Sequence, residues 1–217
     1  STPIKSSAAS DVYKRQAKRR EIEYVVHFTN INNLENIFRY GLCPRDTLDY
    51  YEISHQINDE YRLDNFTNSS SLSITSPNYK MFYRVRMENP NEKWAVILFN
   101  AFKILELDCA FCKSNAASSS VTSIPINERK SASAFCDMFY EPEFDSRRIR
   151  NLFECEPTDP QAEVLVFDSI PTDYIECVHF QNFSDYLSKK QLLDNYGIYG
   201  GSSSSLFFSR RDYSYWR

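Results

Sequence analysis

Four glycines in 217 residues, Gly41, Gly197, Gly200 and Gly201, restrict this chain more than any other feature. A dinucleotide-binding G-x-G-x-x-G turn and a phosphate-cradling G-x-x-x-x-G-K loop both need glycines at fixed spacing, because the backbone must turn tightly and approach the phosphates closely. Neither pattern can be written anywhere in the sequence. Rossmann and P-loop folds are therefore excluded, and any nucleotide must be held by side chains and strand edges. None of the three histidines, His27, His55 and His179, lies near a G-x-S-x-G elbow, which argues against a serine or cysteine triad.

Apolar residues make up 42% of the chain, enough to bury one ordinary core, so residues 21–217 are expected to form a single domain. The longest apolar run, "WAVILF" at Trp94–Phe99, has the length of a buried strand and falls far short of the roughly 18 residues of a membrane span. No membrane association is expected. Six cysteines without a signal peptide point to reduced thiols and a cytoplasmic setting. Cys109 and Cys112 in "CAFC" have zinc-like spacing but lack a second pair, so no metal is expected. The net charge of -4 argues against a general nucleic-acid coat and leaves only local clusters, "KRQAKRR" (Lys14–Arg20) and "SRRIR" (Ser146–Arg150). Either cluster is also compatible with a solvated face. The stretch "SSAASDVYKRQ" resembles conceptual translations of sequencing adapters, so residues 1–20 are expected to be non-native or disordered and are left out of fold reasoning.

The rest of the chain alternates short strands and helices. "EYVVHF" (Glu23–Phe28) is a predicted strand, and Leu34, Ile37, Phe38 and Leu42 follow at helical spacing, capped by Asn32 or Asn33 and stopped by Gly41. "SLSI" (Ser71–Ile74) is a strand, and "SPNYKMFYRVR" is a helix with Ser76 as its cap and Pro77 in its first turn. Trp94–Phe99, Gln161–Phe167 and Tyr174–Phe180 complete the strands, with helices over Ser131–Tyr140 and Ser184–Leu193. The sum is an α+β domain. The span from Val121 to Pro160 is poorly patterned and long for a compact domain, which marks it as functional or disordered.

Glu163 stands before the apolar run Val164–Phe167, where ionised side chains are normally kept out. Alone it fits the polar first residue of an edge strand. His27 in "VVHFTN" alone fits a core histidine bonded to a carbonyl, and Arg62 in "EYRLDN" a surface arginine. As a set they mean more. A histidine on the first strand, an arginine before a middle strand, a tyrosine-rich helix and a glutamate opening a late strand resemble the ADP-ribosyltransferase pattern. Within it, "VVHFTNINNLENIFRYGL", "LSITSPNYKMFYRVR", "CAFCKSNAASSSV" and "PTDPQAEVLVFDSIP" are similar, in order, to the DarT-type DNA ADP-ribosyltransferases, toxins of toxin–antitoxin pairs.

The resemblance implies a split pair of small β-sheets with flanking helices and an NAD+ cleft between them. It implies that His27, Phe28 and Thr29 hold the nicotinamide side of NAD+, with Asn36 facing the same pocket. Arg62 contacts the cofactor and assists catalysis, Tyr79 packs near the nicotinamide, and Glu163 is the catalytic acid. The segment from Val121 to Gln161 becomes the loop that reads the substrate, which is single-stranded DNA modified on thymine or guanine. Arg147, Arg148 and Arg150 then track its phosphates, aromatic residues of Phe135–Phe144 stack flanking bases, and a macrodomain-type antitoxin is the expected partner. A non-catalytic nucleic-acid binder, or a transferase acting on protein or RNA, is the alternative. The chemistry suits the residue types. Cleaving the nicotinamide bond builds positive charge on the ribose, which a carboxylate stabilises, and a guanidinium offers a planar fork of donors to the diphosphate.

Overall fold

The structure, a computed structural model, describes residues 7–56, 66–141, 147 and 149–216. In chain order the elements are α1 (Ser7–Arg19), β1 (Tyr24–Asn30), α2 (Leu34–Tyr40), α3 (Arg45–Tyr50), β2 (Ser70–Ile74), α4 (Tyr79–Glu88), β3 (Trp94–Asn100) and α5 (Ala101–Ile104). They continue as β4 (Cys109–Cys112), α6 (Ser119–Thr122), α7 (Ile126–Arg129), α8 (Ala132–Asp137), β5 (Glu163–Val166), β6 (Ile175–Phe180), α9 (Phe183–Tyr196) and β7 (Gly200–Ser202). The strands form one seven-stranded order, β4-β5-β2-β1-β3-β6-β7, antiparallel except for the β6–β7 pair. The α+β class is as expected. The strands are joined in one seven-stranded order rather than standing as two separate sheets.

Alternation of side chains explains how the sheet buries one face and opens the other. On the first face Val25, Leu72, Ile97, Phe111 and Val164 enter one large core, which α1, α2, α8 and α9 cover with Tyr13, Leu34, Phe135 and Leu193. On the second face two small cores stand apart. Val26, Val96 and Leu98 pack under Phe82 and Val85 of α4, while Ala110, Cys112 and Leu165 pack with Ala116 and Val121. Between them lies β2, whose second-face residues are Ser71 and Ser73.

Local signals were read with mixed success. Gly41 does stop α2: its φ is +84°, and a Cβ there would stand 2.4 Å from the Ile170 carbonyl oxygen. Asn33 sits at the N-cap position of α2 without capping it; Asn30 caps the preceding turn through Asn32 N–H. The cap of α4 is Asn78, whose Oδ1 accepts from Met81 N–H at 3.2 Å, and not Ser76. The poorly patterned span holds the short helices α6, α7 and α8.

The opening segment that sequence reading set aside carries α1, and its ring is part of the core. Tyr13 is 0% exposed, meets Phe111 edge-on at 5.1 Å, and donates its hydroxyl to the Lys130 carbonyl at 2.9 Å. Tyr13→Ala is expected to lower unfolding stability in urea by about 3 kcal/mol, the usual cost of emptying an aromatic site. A loss below about 0.5 kcal/mol, the range of surface substitutions, would show that α1 contributes nothing to the core.

Candidate active site

The ladder between β1 and β2 is short, pairing Val25 with Ile74 and Val26 with Ser73. Beyond it the strands part, with His27, Phe28 and Thr29 on one side and Ser69, Ser70 and Ser71 on the other. A cleft of about 890 Å³ opens there, lined also by Asn33 just before α2, Asn36 of α2, Lys80 and Arg84 of α4, Asn115 and Glu163. Its volume falls in the range of cofactor pockets.

Glu163 is the first residue of β5 and shares the second sheet face with Leu165. Ser71 lies opposite Leu165 in the register, so Ser71 and Glu163 are diagonal neighbours on that face. The Ser71 hydroxyl donates to Glu163 Oε2 at 3.1 Å, Ala116 N–H to the same oxygen at 3.4 Å, and Asn115 Nδ2 to Oε1 at 3.3 Å. All three are donors, the match of an ionised carboxylate, which only accepts. With 6% of its surface exposed, Glu163 is held at the cleft wall rather than free in solvent.

His27 spans the gap that the ladder leaves. Its Nδ1 lies 2.9 Å from the Ser71 carbonyl oxygen. A carbonyl only accepts, so Nδ1 carries the hydrogen. Ser71 therefore binds the imidazole with its backbone and the carboxylate with its side chain. The bland reading of His27, a histidine bonded to a carbonyl, and the cleft reading are both met by one geometry. Phe28 stacks on Phe82 with centroids 4.5 Å apart, which anchors the strand from below. Thr29 is buried and accepts from Asn33 Nδ2 at 3.0 Å. Asn33 also pairs with the backbone of Gln56, and Asn36 donates to the Ser54 carbonyl at 2.6 Å, so the start of α2 holds the backbone at Ser54 and Gln56.

Other expected site residues lie elsewhere. Arg62 and Arg148 fall outside the described residues. Tyr79 opens α4 but does not line the cleft; it faces a second cavity on the other side of that helix. Burial, followed by neighbouring Asp212, pushes its phenol up to about 12. Lys80, Met81 and Arg84 of α4 line the cleft instead. Arg147 is also corrected. It is buried, donating to Thr158 Oγ1 at 3.0 Å and to the carbonyls of Phe153 and Glu156 at 2.6 Å, so it cannot track phosphates. Arg150 is 8% exposed and lies 4.9 Å from the Trp216 ring centroid. The aromatic segment is partly core as well, since Phe135 and Phe139 are buried.

What these arginines do is brace the loop in front of Glu163. Arg210 donates to the carbonyls of Pro157 at 2.7 Å and Thr158 at 3.1 Å, and forms a forked pair with Asp212 at 2.7 Å on each oxygen. Arg211 adds a bond to Glu156 Oε2 at 2.6 Å. Sequence reading missed this, as it missed Ser71, Asn115, Lys80 and Arg84. Asn115 was hidden in a serine- and asparagine-rich stretch, and the lysine and arginine in a helix read for its aromatics.

A family model described as "ssDNA thymidine ADP-ribosyltransferase, DarT" matches residues 26–202. The solved structure of Thermosipho africanus DarTG in complex with ADP-ribose is similar at a TM-score of 0.61 and 17% identity, covering 86% of this chain and 51% of that one. This chain thus spans about half the length of that relative. Thermus sp. 2.9 DarT in complex with NAD+ gives a TM-score of 0.54 and 13% identity, covering 87% of this chain and 98% of that one. The same protein in complex with ADP-ribosylated ssDNA gives 0.50 and 12%, over 87% and 97%. Curated protein sequences give no match.

The brace makes stability depend on pH in a defined direction. Burial raises the Asp212 carboxyl, but Arg210 and the Trp216 N–H outweigh it and hold it below its ordinary value. A depressed carboxyl contributes stability that is complete above its unfolded value, about 3.9, and is lost as pH falls through the folded one. Asp212→Asn is expected to cost about 3 kcal/mol at pH 7, because it leaves a buried guanidinium unpaired. In urea unfolding at a series of pH values, variant and wild type should converge as pH falls below about 4. A constant difference across that range would contradict the assignment.

Proposed function

The chain belongs to the DarT family, and we propose that it transfers ADP-ribose from NAD+ to a nucleobase in single-stranded DNA, releasing nicotinamide. The observation that carries this reading is one carboxylate, Glu163, fixed by three donors in a cofactor-sized cleft whose other wall is His27.

The cleft fits the co-substrate in its donor set. The strand edge His27–Thr29 lines the cleft beyond the end of the β1–β2 ladder at Val26 and is assigned to the nicotinamide side on the family resemblance. Asn36 lines the same wall. Arg62 is assigned to the diphosphate on the family resemblance. The bond from ribose C1′ to the nicotinamide nitrogen breaks, and nicotinamide leaves with the electron pair. The ionised Glu163 offsets the positive charge that grows on the ribose. A lone pair on the base nitrogen then forms the new bond to C1′, and the proton that this nitrogen sheds is taken by Glu163 and passed to water. Bases are balanced by this route: NAD+ and the base give the ADP-ribosylated base, nicotinamide and a proton.

A base within a duplex cannot reach a carboxylate recessed in a cleft, so single-stranded DNA is the acceptor. The family description names thymidine, and thymine is the base assigned here over guanine. With Arg147 and Arg150 buried, cations lining the cleft take over the phosphates: Lys80 and Arg84 of α4, with Arg45 of α3. As in the toxins this family resembles, the activity is assigned a toxic role countered by a macrodomain-type antitoxin. No helix among the described residues is long and apolar enough to cross a membrane.

Incubation with NAD+ and single-stranded oligonucleotides, followed by mass spectrometry, should give ADP-ribosylated thymine. Glu163→Ala should lower this labelling by about 10²–10³-fold, the scale of losing one group that stabilises transition-state charge. Labelling at the wild-type rate by a folded Glu163→Ala protein would refute the mechanism.

A further inference from the structure

A second cavity of about 660 Å³ lies across α4 from the cleft, and the mechanism does not use it. Tyr83 of α4 faces Phe208, Tyr213 and Trp216 of the C-terminal segment around it. Tyr83 is 58% exposed, Phe208 67% and Tyr213 45%. Such a set of exposed rings around one hollow marks an interaction site rather than a core. Among the described residues, the charged side chains that line it are Lys80 and Arg86, both cations. Arg86 is fixed in place, donating to the Phe207 carbonyl at 2.6 Å and lying 4.8 Å from the Phe82 centroid.

The cavity is continuous with the cleft through one residue. Lys80 lines both, and its Nζ lies 5.7 Å from the Trp216 ring centroid. Residues 80, 83, 84 and 87 fall at helical spacing, so Lys80, Tyr83, Arg84 and Met87 form the outer ridge of α4. The cleft is lined by one side of α4 and the second cavity by the other, and a helix with its side chains is about 10–12 Å across.

We propose that this aromatic hollow is a second DNA subsite, which stacks bases flanking the target nucleotide as the strand leaves the cleft over α4. Lys80 and Arg84 hold phosphates at the ridge, and Tyr83, Phe208 and Tyr213 offer faces to the bases. Stacking on rings beside a cationic track is how single strands are held without sequence readout. A protein partner is disfavoured by the cationic lining and by the direct path from the cleft. The subsite rests on the proposed acceptor, single-stranded DNA.

Because stacking can be read without catalysis, the test uses binding. The affinity of fluorescently labelled oligothymidylates of three and twelve nucleotides is measured by anisotropy for the wild type and for Tyr83→Ser combined with Phe208→Ser, two exposed positions whose replacement spares the core. The wild type should bind the longer strand at least about tenfold more tightly than the shorter, beyond the factor expected from the number of binding registers, and the variant should lose that excess. An excess that persists in the folded variant overturns the subsite. So does concentration-dependent dimerisation of the wild type that the variant abolishes, which would give the face to a second copy of the chain. Labelling with NAD+ is followed in parallel. Loss of the length preference in the variant, together with no labelling by the wild type, would uphold the subsite and refute the transfer reaction.

Discussion

Ser71 and Ser73 put hydroxyls where the neighbouring strands put apolar side chains, and the site follows from that substitution of polar for apolar. A sheet face covered by apolar residues draws a helix or loop onto itself. Over β2 there is nothing to draw, so the second face carries two small cores with a gap between them. The same place is where the β1–β2 ladder ends. Ser71 then spans the gap, through its carbonyl to His27 and through its hydroxyl to Glu163. The carboxylate costs little to hold there because three donors replace its lost water.

The C-terminal segment supports this arrangement from behind. Arg210 ties the carbonyls of Pro157 and Thr158 to Asp212, so the loop that delivers Glu163 to the cleft is fixed by charge-assisted bonds rather than by apolar packing. Arg147 completes the brace from within the loop. Arginine suits this use because one fork can satisfy several carbonyls at once. The cost of such a design is that the ion pair, once buried, cannot lose either partner cheaply.

Five of the seven strands were legible in the sequence, because alternation in "SLSI" and the apolar runs at Trp94–Phe99 and Val164–Phe167 leave few other foldings, while β4 (Cys109–Cys112) and β7 (Gly200–Ser202) are too short to show a pattern. Glu163 and His27 were legible for a related reason: each breaks an apolar pattern at a place where burial is otherwise the rule. Partners were not. Ser71 meets Glu163 only through the β2–β5 register, which connects residues 92 positions apart. Arginine roles were the least legible, since the pattern "SRRIR" is the same whether its guanidiniums face phosphates or backbone carbonyls. Only the fold decides, and it buries Arg147 and Arg150. Tyr79 was misplaced for a smaller reason, a helix start two residues later than the serine cap implied.

That Ser71 acts by holding Glu163 is the claim on which the rest stands. A double-mutant cycle on NAD+ affinity, with Ser71→Ala, Glu163→Gln and the pair measured by titration calorimetry, addresses it directly. If the serine works through the carboxylate, the two losses should fall short of additivity by at least about 0.5 kcal/mol, the lower end of coupling between contacting residues. Strictly additive losses would mean that the two side chains act independently, and the account of the cleft given above would be wrong.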